Sequence, residues 1–129
     1  MKILTLSIKQ KYFDEILAGT KKQEYREIRP NNFARYCRYV YNGNMYETDE
    51  GLPAEAEIEV VPVAYDALKL LTGEYKGKRP YVIIEVDGAE VQLLTDDNDQ
   101  DIVYEHDGKE YLAAQICYTL GDIIERSNY

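Results

Sequence analysis

The chain has 129 residues, 45% of them hydrophobic, and a net charge of −9; that is enough for one domain to bury a single core without disulfide or metal staples. Its only cysteines, Cys37 and Cys117, have no CxxC or Cys/His neighbours, so reduced residues of a cytoplasmic protein are expected, and no redox chemistry, metal or cofactor is implied. The opening MKILTLSIKQKYF is interrupted by Lys2, Lys9 and Lys11, and no stretch approaches the ~18 consecutive apolar residues of a membrane span, so neither a signal peptide nor a membrane partner is expected.

In chain order, MKILTLS alternates Ile3, Leu4 and Leu6 with small polar residues and reads as a first strand. Ser7 and Gln10 have the spacing of a capping box, the pairs Tyr12/Phe13 and Ile16/Leu17 recur at helical spacing, and Gly19 supplies a stop, which predicts a helix over 8–18. A strand follows over roughly 21–29, ended by Pro30 with Asn31 and Asn32. Residues 33–55 hold Asn42-Gly43 and an acidic turn, and read as an irregular strand with a long loop. AEIEVVPVAY is a half-buried strand that Pro62 pushes to an edge or bulge, and a second short helix is expected near 65–72. Two hairpins close the pattern, with turns at Asp87-Gly88 and Asp107-Gly108, before LGDIIERSNY trails off polar. Six or seven strands with two short helices and no repeating βαβ unit predict a mixed α/β, mainly β domain: a small, mixed-to-antiparallel barrel.

Charge is unevenly spread. Residues 1–40 hold nine of the fifteen Lys and Arg and four of the 24 Asp and Glu, a balance of 9 − 4 = +5; residues 41–129 hold the remaining six and twenty, 6 − 20 = −14. An acidic chain is a poor general nucleic-acid binder, so an anionic partner is expected to meet the first third.

That third contains GTKKQEYREIRP, residues 19–30, in which Tyr25 and Ile28 are the only large apolar side chains. Strand parity puts Glu24 and Arg26 on one face with Lys22 beside them, and Gln23, Tyr25 and Glu27 on the other, while Lys21 stands at the turn. A carboxylate between cations accepts the donor edge of a base on Glu24 and holds a phosphate or carbonyl with Lys21 and Arg26. The competing reading is an edge strand whose charges prevent aggregation. Ser7 and Lys9 offer either an anion site at a helix N-terminus or an ordinary cap with a solvated lysine.

The spacing of Gly19, Lys21, Glu24 and Arg26, G-x-K-x-x-E-x-R, following a helix that ends at its glycine, resembles the ASCH domain, a family of PUA-like β-barrels. The specific match covers residues 1–30, and RPYVIIEVDG is similar to a later ASCH strand, while 31–56 and 95–110 read as inserts. The resemblance implies a single PUA-like domain over 1–129. It also implies recognition of RNA or a modified nucleoside at a pocket framed by the motif strand, with Lys21, Glu24, Arg26, Ser7, Lys9 and Tyr25 as ligand-binding candidates. A second implied activity is an amidohydrolase acting on N4-acylated cytidines through a lysine, a threonine nucleophile and a glutamate. The lysine corresponds to Lys21, but Glu24 stands where the threonine would fall, so catalysis would need Glu24 as general base or Thr20 as substitute nucleophile, with Glu74 as the positional match to the glutamate. Binding is favoured over catalysis. A third reading is an acidic interaction domain whose carboxylates meet a basic protein.

Weaker features complete the inventory. Tyr36, Tyr39, Tyr41 and Tyr46 lie among Arg35 and Arg38, a mixture that either stacks the bases of a single strand or packs the barrel. Asp97, Asp99 and Asp101 have calcium-loop spacing, but Ile102 sits where glycine is required, so a solvated loop is expected. His106, the single histidine, reads as a surface residue.

Overall fold

The computed structural model describes residues 1–53, 57–73 and 78–127. In chain order its elements are β1 (Ile3–Ser7), α1 (Gln10–Leu17), β2 (Gln23–Ile28), α2 (Phe33–Tyr36), β3 (Cys37–Tyr41), β4 (Asn44–Tyr46), β5 (Glu59–Pro62), β6 (Ala67–Leu71), β7 (Tyr81–Leu93), β8 (Val103–His106), β9 (Lys109–Leu112) and β10 (Ala114–Arg126). The protein is mainly β, as its composition of short alternating runs implies. No described helix is long and apolar enough to cross a membrane. A five-stranded sheet has the order β1-β6-β7-β10-β2, so β1 and β2 are its two edges. Contacts divide the chain into two compact units, residues 1–24, 64–89 and 118–129 in one and 25–63 and 90–117 in the other; β2, β7 and β10 pass from one to the other.

In the first unit, β1 runs parallel to β6 with Leu4 opposite Leu68 and Leu6 opposite Leu70, and β6 runs antiparallel to β7 with Leu68 opposite Ile84 and Leu70 opposite Val82. These side chains, with Phe13 and Ile16 of α1, form its buried core, each contributing roughly 1.5–3 kcal/mol of burial. The expected helix near 65–72 is therefore strand β6. Ala67, Leu68 and Leu70 are good helix formers, but β6 is hydrogen-bonded on both edges and carries three buried side chains among its five, and tertiary pairing overrides so weak a propensity.

The expected turn at Asp87-Gly88 is also absent, because β7 runs straight through it. Neither residue has positive φ. A methyl group at Gly88 would come 3.9 Å from Thr119 Oγ1, and one at Gly121 would come 2.5 Å from Asp87 Oδ1. Gly121 thus lies directly beneath the Asp87 side chain of the neighbouring strand, whereas a methyl at Gly88 would meet Thr119 at ordinary contact distance, so the dipeptide continues the strand rather than reversing it. For the same reason LGDIIERSNY is no polar tail: β10 continues to Arg126 beside β7. Helix α1 is shorter than the expected 8–18. Ser7 ends β1, Lys9 occupies the N-cap position, and no side chain caps the helix; Gln10, expected to close a capping box, instead donates to Asp14 and accepts from Thr72.

In the second unit, β3 pairs with both β4 and β5 in an antiparallel sheet. Asn42 (φ 50°) and Gly43 (φ 77°) form the β3–β4 turn, a hairpin where an irregular strand and long loop were expected. Pro62 lies in edge strand β5, where its missing N–H costs no ladder bond. Asp107 (φ 51°) and Gly108 (φ 76°) turn β8 into β9 as expected, with Tyr104 opposite Tyr111. Asp96 accepts from the N–H groups of Asn98 and Gln100, so the aspartate run is an Asx-type loop.

Candidate functional site

The motif glycine determines where the motif lysine goes. Gly19 (φ 76°) ends α1, and the N–H groups of Gly19, Thr20 and Lys21 fold back on the carbonyls of Ile16 and Glu15, a left-handed terminus that glycine adopts without strain. The chain leaves it toward β2, anchored where the Leu120 N–H donates to the Lys22 carbonyl at 2.9 Å. Lys21 Nζ then lies 3.9 Å from Glu24 Oε1 and 5.0 Å from the centre of the Tyr12 ring. Glu24 is 6% exposed. At that separation the two charges attract without sharing a hydrogen bond.

Burial along β2 follows the expected parity: Glu24 and Ile28 are buried and Arg26 half-buried, while Gln23, Tyr25 and Glu27 face solvent. Lys22 precedes the strand and is exposed. A cleft of about 250 Å³ opens beside this segment, walled by the end of α1, Lys21, Lys22, Gly121 and Asp122; Glu24 is not among its lining residues. The structure thus brings Lys21 and Glu24 together and places Arg26 next on the same strand face. Tyr25 points the other way, 44% exposed, where a hydrogen bond with the Cys117 thiol is the first of the influences raising its hydroxyl pKa.

Ser7 and Lys9 precede the helix that Lys21 follows. Eight residues at about 1.5 Å each separate its ends by roughly 12 Å, so these two do not join the motif residues. The Ser7 hydroxyl accepts from Arg79 Nη2 at 3.1 Å. Thr20 donates its hydroxyl to the Glu15 carbonyl at 3.2 Å. Glu74 lies outside the described residues. Among the described residues, no three His, Cys, Asp or Glu side chains gather as metal ligands.

The second unit holds a larger cavity, about 550 Å³, in whose wall Tyr39 is the one residue expected from the sequence as a candidate for stacking a base. Phe33 and Tyr39 stack at 4.3 Å, Tyr104 and Tyr111 at 5.7 Å. Arg29 covers the Tyr104 ring at 4.5 Å, and Lys109 bonds Asp49 at 2.8 Å. Burial, then the nearby Asp49 carboxylate, raises the Tyr39 hydroxyl pKa, and the Asp49 hydrogen bond raises that of Lys109. Of the expected Tyr/Arg mixture only Tyr39 lines it; Tyr36 is buried, and Arg38 donates to the Ala34 and Cys37 carbonyls. A signal for the rest was present: Tyr104 and Tyr111 flank the Asp107-Gly108 turn symmetrically and so had to pair across the hairpin.

No family model matches the chain, and no curated protein or solved structure matches it.

Proposed function

We propose that this protein is a PUA-like ASCH module that binds RNA or a modified nucleoside, with Lys21 and Glu24 as its recognition pair. The observation that supports this reading is the buried Glu24 carboxylate held 3.9 Å from Lys21 Nζ behind a helix that ends at the motif glycine. A carboxylate is an acceptor at both oxygens and suits the amino or ring N–H edge of a base; the lysine ammonium suits a base carbonyl or phosphate. Arg26 follows on the same face of β2 and extends the basic side toward a neighbouring phosphate. The cleft of about 250 Å³ that Lys21 lines and Glu24 does not is below the usual ~300–1,000 Å³ of drug-sized ligand sites, which fits one phosphate or one base carbonyl at the lysine rather than a large cofactor.

Calorimetric titration with cytidine, N4-acetylcytidine and short single-stranded RNAs tests the reading. Wild-type protein is expected to bind at least one of them, and Glu24→Gln, which keeps shape and removes charge, to weaken binding about tenfold, or ~1.4 kcal/mol. Unchanged affinity in both Glu24→Gln and Lys21→Ala would remove the pair from recognition.

A further inference from the structure

We infer that the aromatic cavity of the second unit is a binding site for a small organic cation with an apolar body, such as a quaternary ammonium compound. Four rings, Phe33, Tyr39, Tyr104 and Tyr111, line it together with the charges of Glu47, Asp49, Glu50, Glu110, Arg29 and Lys109, a balance of 2 − 4 = −2. Both lining cations already have carboxylate partners: Lys109 lies 2.8 Å from Asp49, and Arg29 pairs with Glu27. An entering phosphate would meet excess negative charge, whereas an entering cation gains from it. Arg29 lies over Tyr104 at 4.5 Å and Lys109 over Tyr111 at 5.7 Å, so these rings already attract positive charge, and an entering cation takes the ring surface that the two side chains leave. At about 550 Å³ the cavity is within the range of small-molecule sites and exceeds what a bare ammonium or metal ion fills, so apolar substituents on the cation would use the remaining ring surface. The motif residues Lys21 and Glu24 take no part in it.

Choline and its neutral isostere 3,3-dimethylbutan-1-ol differ in little but charge. Titrated separately into the full chain and followed by NMR of the tyrosine rings, choline is expected to shift the signals of Tyr39, Tyr104 and Tyr111 saturably and to bind about tenfold more tightly than the alcohol. Glu110→Gln, an exposed substitution that leaves packing intact, is expected to weaken choline several-fold without affecting the alcohol, and Tyr111→Leu to abolish the choline shifts. Should Tyr111→Leu fail to fold, the Glu110→Gln comparison carries the test alone. Equal affinity for choline and the alcohol, absence of saturable shifts with choline, or tighter binding of adenosine than of choline would overturn the proposal.

Discussion

Glu24 keeps a carboxylate 6% exposed at the start of β2, a placement that costs several kcal/mol unless neighbouring charge and hydrogen bonds offset it. Lys21 supplies part of that compensation. A carboxylate at this position offers no hydroxyl nucleophile, and Thr20 donates its hydroxyl to the Glu15 carbonyl at the end of α1. Incubation with N4-acetylcytidine is therefore expected to release cytidine far below an ordinary turnover of ~1 s⁻¹; turnover at that rate, lost in Lys21→Ala, would instead make Glu24 a general base. Cys37 gives an independent residue-level test. Fully buried, its thiol is pushed up to about 11, chiefly by burial and against the opposing pull of Arg38. Between about pH 9 and about 11 the unfolded chain ionises this thiol while the folded chain does not. Its contribution is thus complete below the window and is lost as pH rises through it. Denaturant melts are expected to show the midpoint falling between those limits, less so in Cys37→Ala; a midpoint flat or rising there would contradict the burial.

Among the elements, two identical dipeptides had opposite outcomes. Asp107-Gly108 turns a hairpin whose strands carry alternating tyrosines and charges, all of it local information. Asp87-Gly88 is carried through β7 because Thr119 and Gly121 of β10 lie against it, partners more than thirty residues away that no local pattern announces. β6 departs from the expected helix for the same reason: its apolar residues are decided by strands on both edges, not by their own preference for a helix. By contrast β1, α1 and the ionic parity of β2 were legible, since helical spacing, glycine stops and period-two alternation are local. Glycine substitutions separate these cases. Gly108→Ala (φ 76°) is expected to cost roughly 1 kcal/mol and to loosen the Tyr104–Tyr111 stack, seen as lower stability with altered tyrosine fluorescence. Gly88→Ala, with 3.9 Å of room and no positive φ, is expected to cost less than Gly108→Ala. The reverse order in thermal melts would mean that Asp87-Gly88 is a true turn.

Over the whole molecule, the +5 of residues 1–40 against the −14 of the remainder favours the first third of the chain as the part that meets an anionic ligand. A nucleic-acid contact made by Lys21 and Arg26 neutralises few phosphates, so affinity for single-stranded RNA is expected to fall with salt at a shallow slope, about −0.7 per phosphate contacted. The parity that sets Glu24 and Arg26 on one face of β2 was legible from the sequence, and so was the pairing of Tyr104 with Tyr111 across their hairpin; the aromatic cavity was not, because only folding brings that pair together with Phe33 and Tyr39. Which of these two sites takes a nucleoside is the central question. Amide and side-chain NMR of the full chain, recorded while a nucleoside or short single-stranded RNA is added, answers it most directly. Saturable shifts concentrated at Lys21, Glu24 and Arg26 are the expected result, and shifts confined to Tyr104 and Tyr111, or none at the motif at saturating ligand, would contradict it.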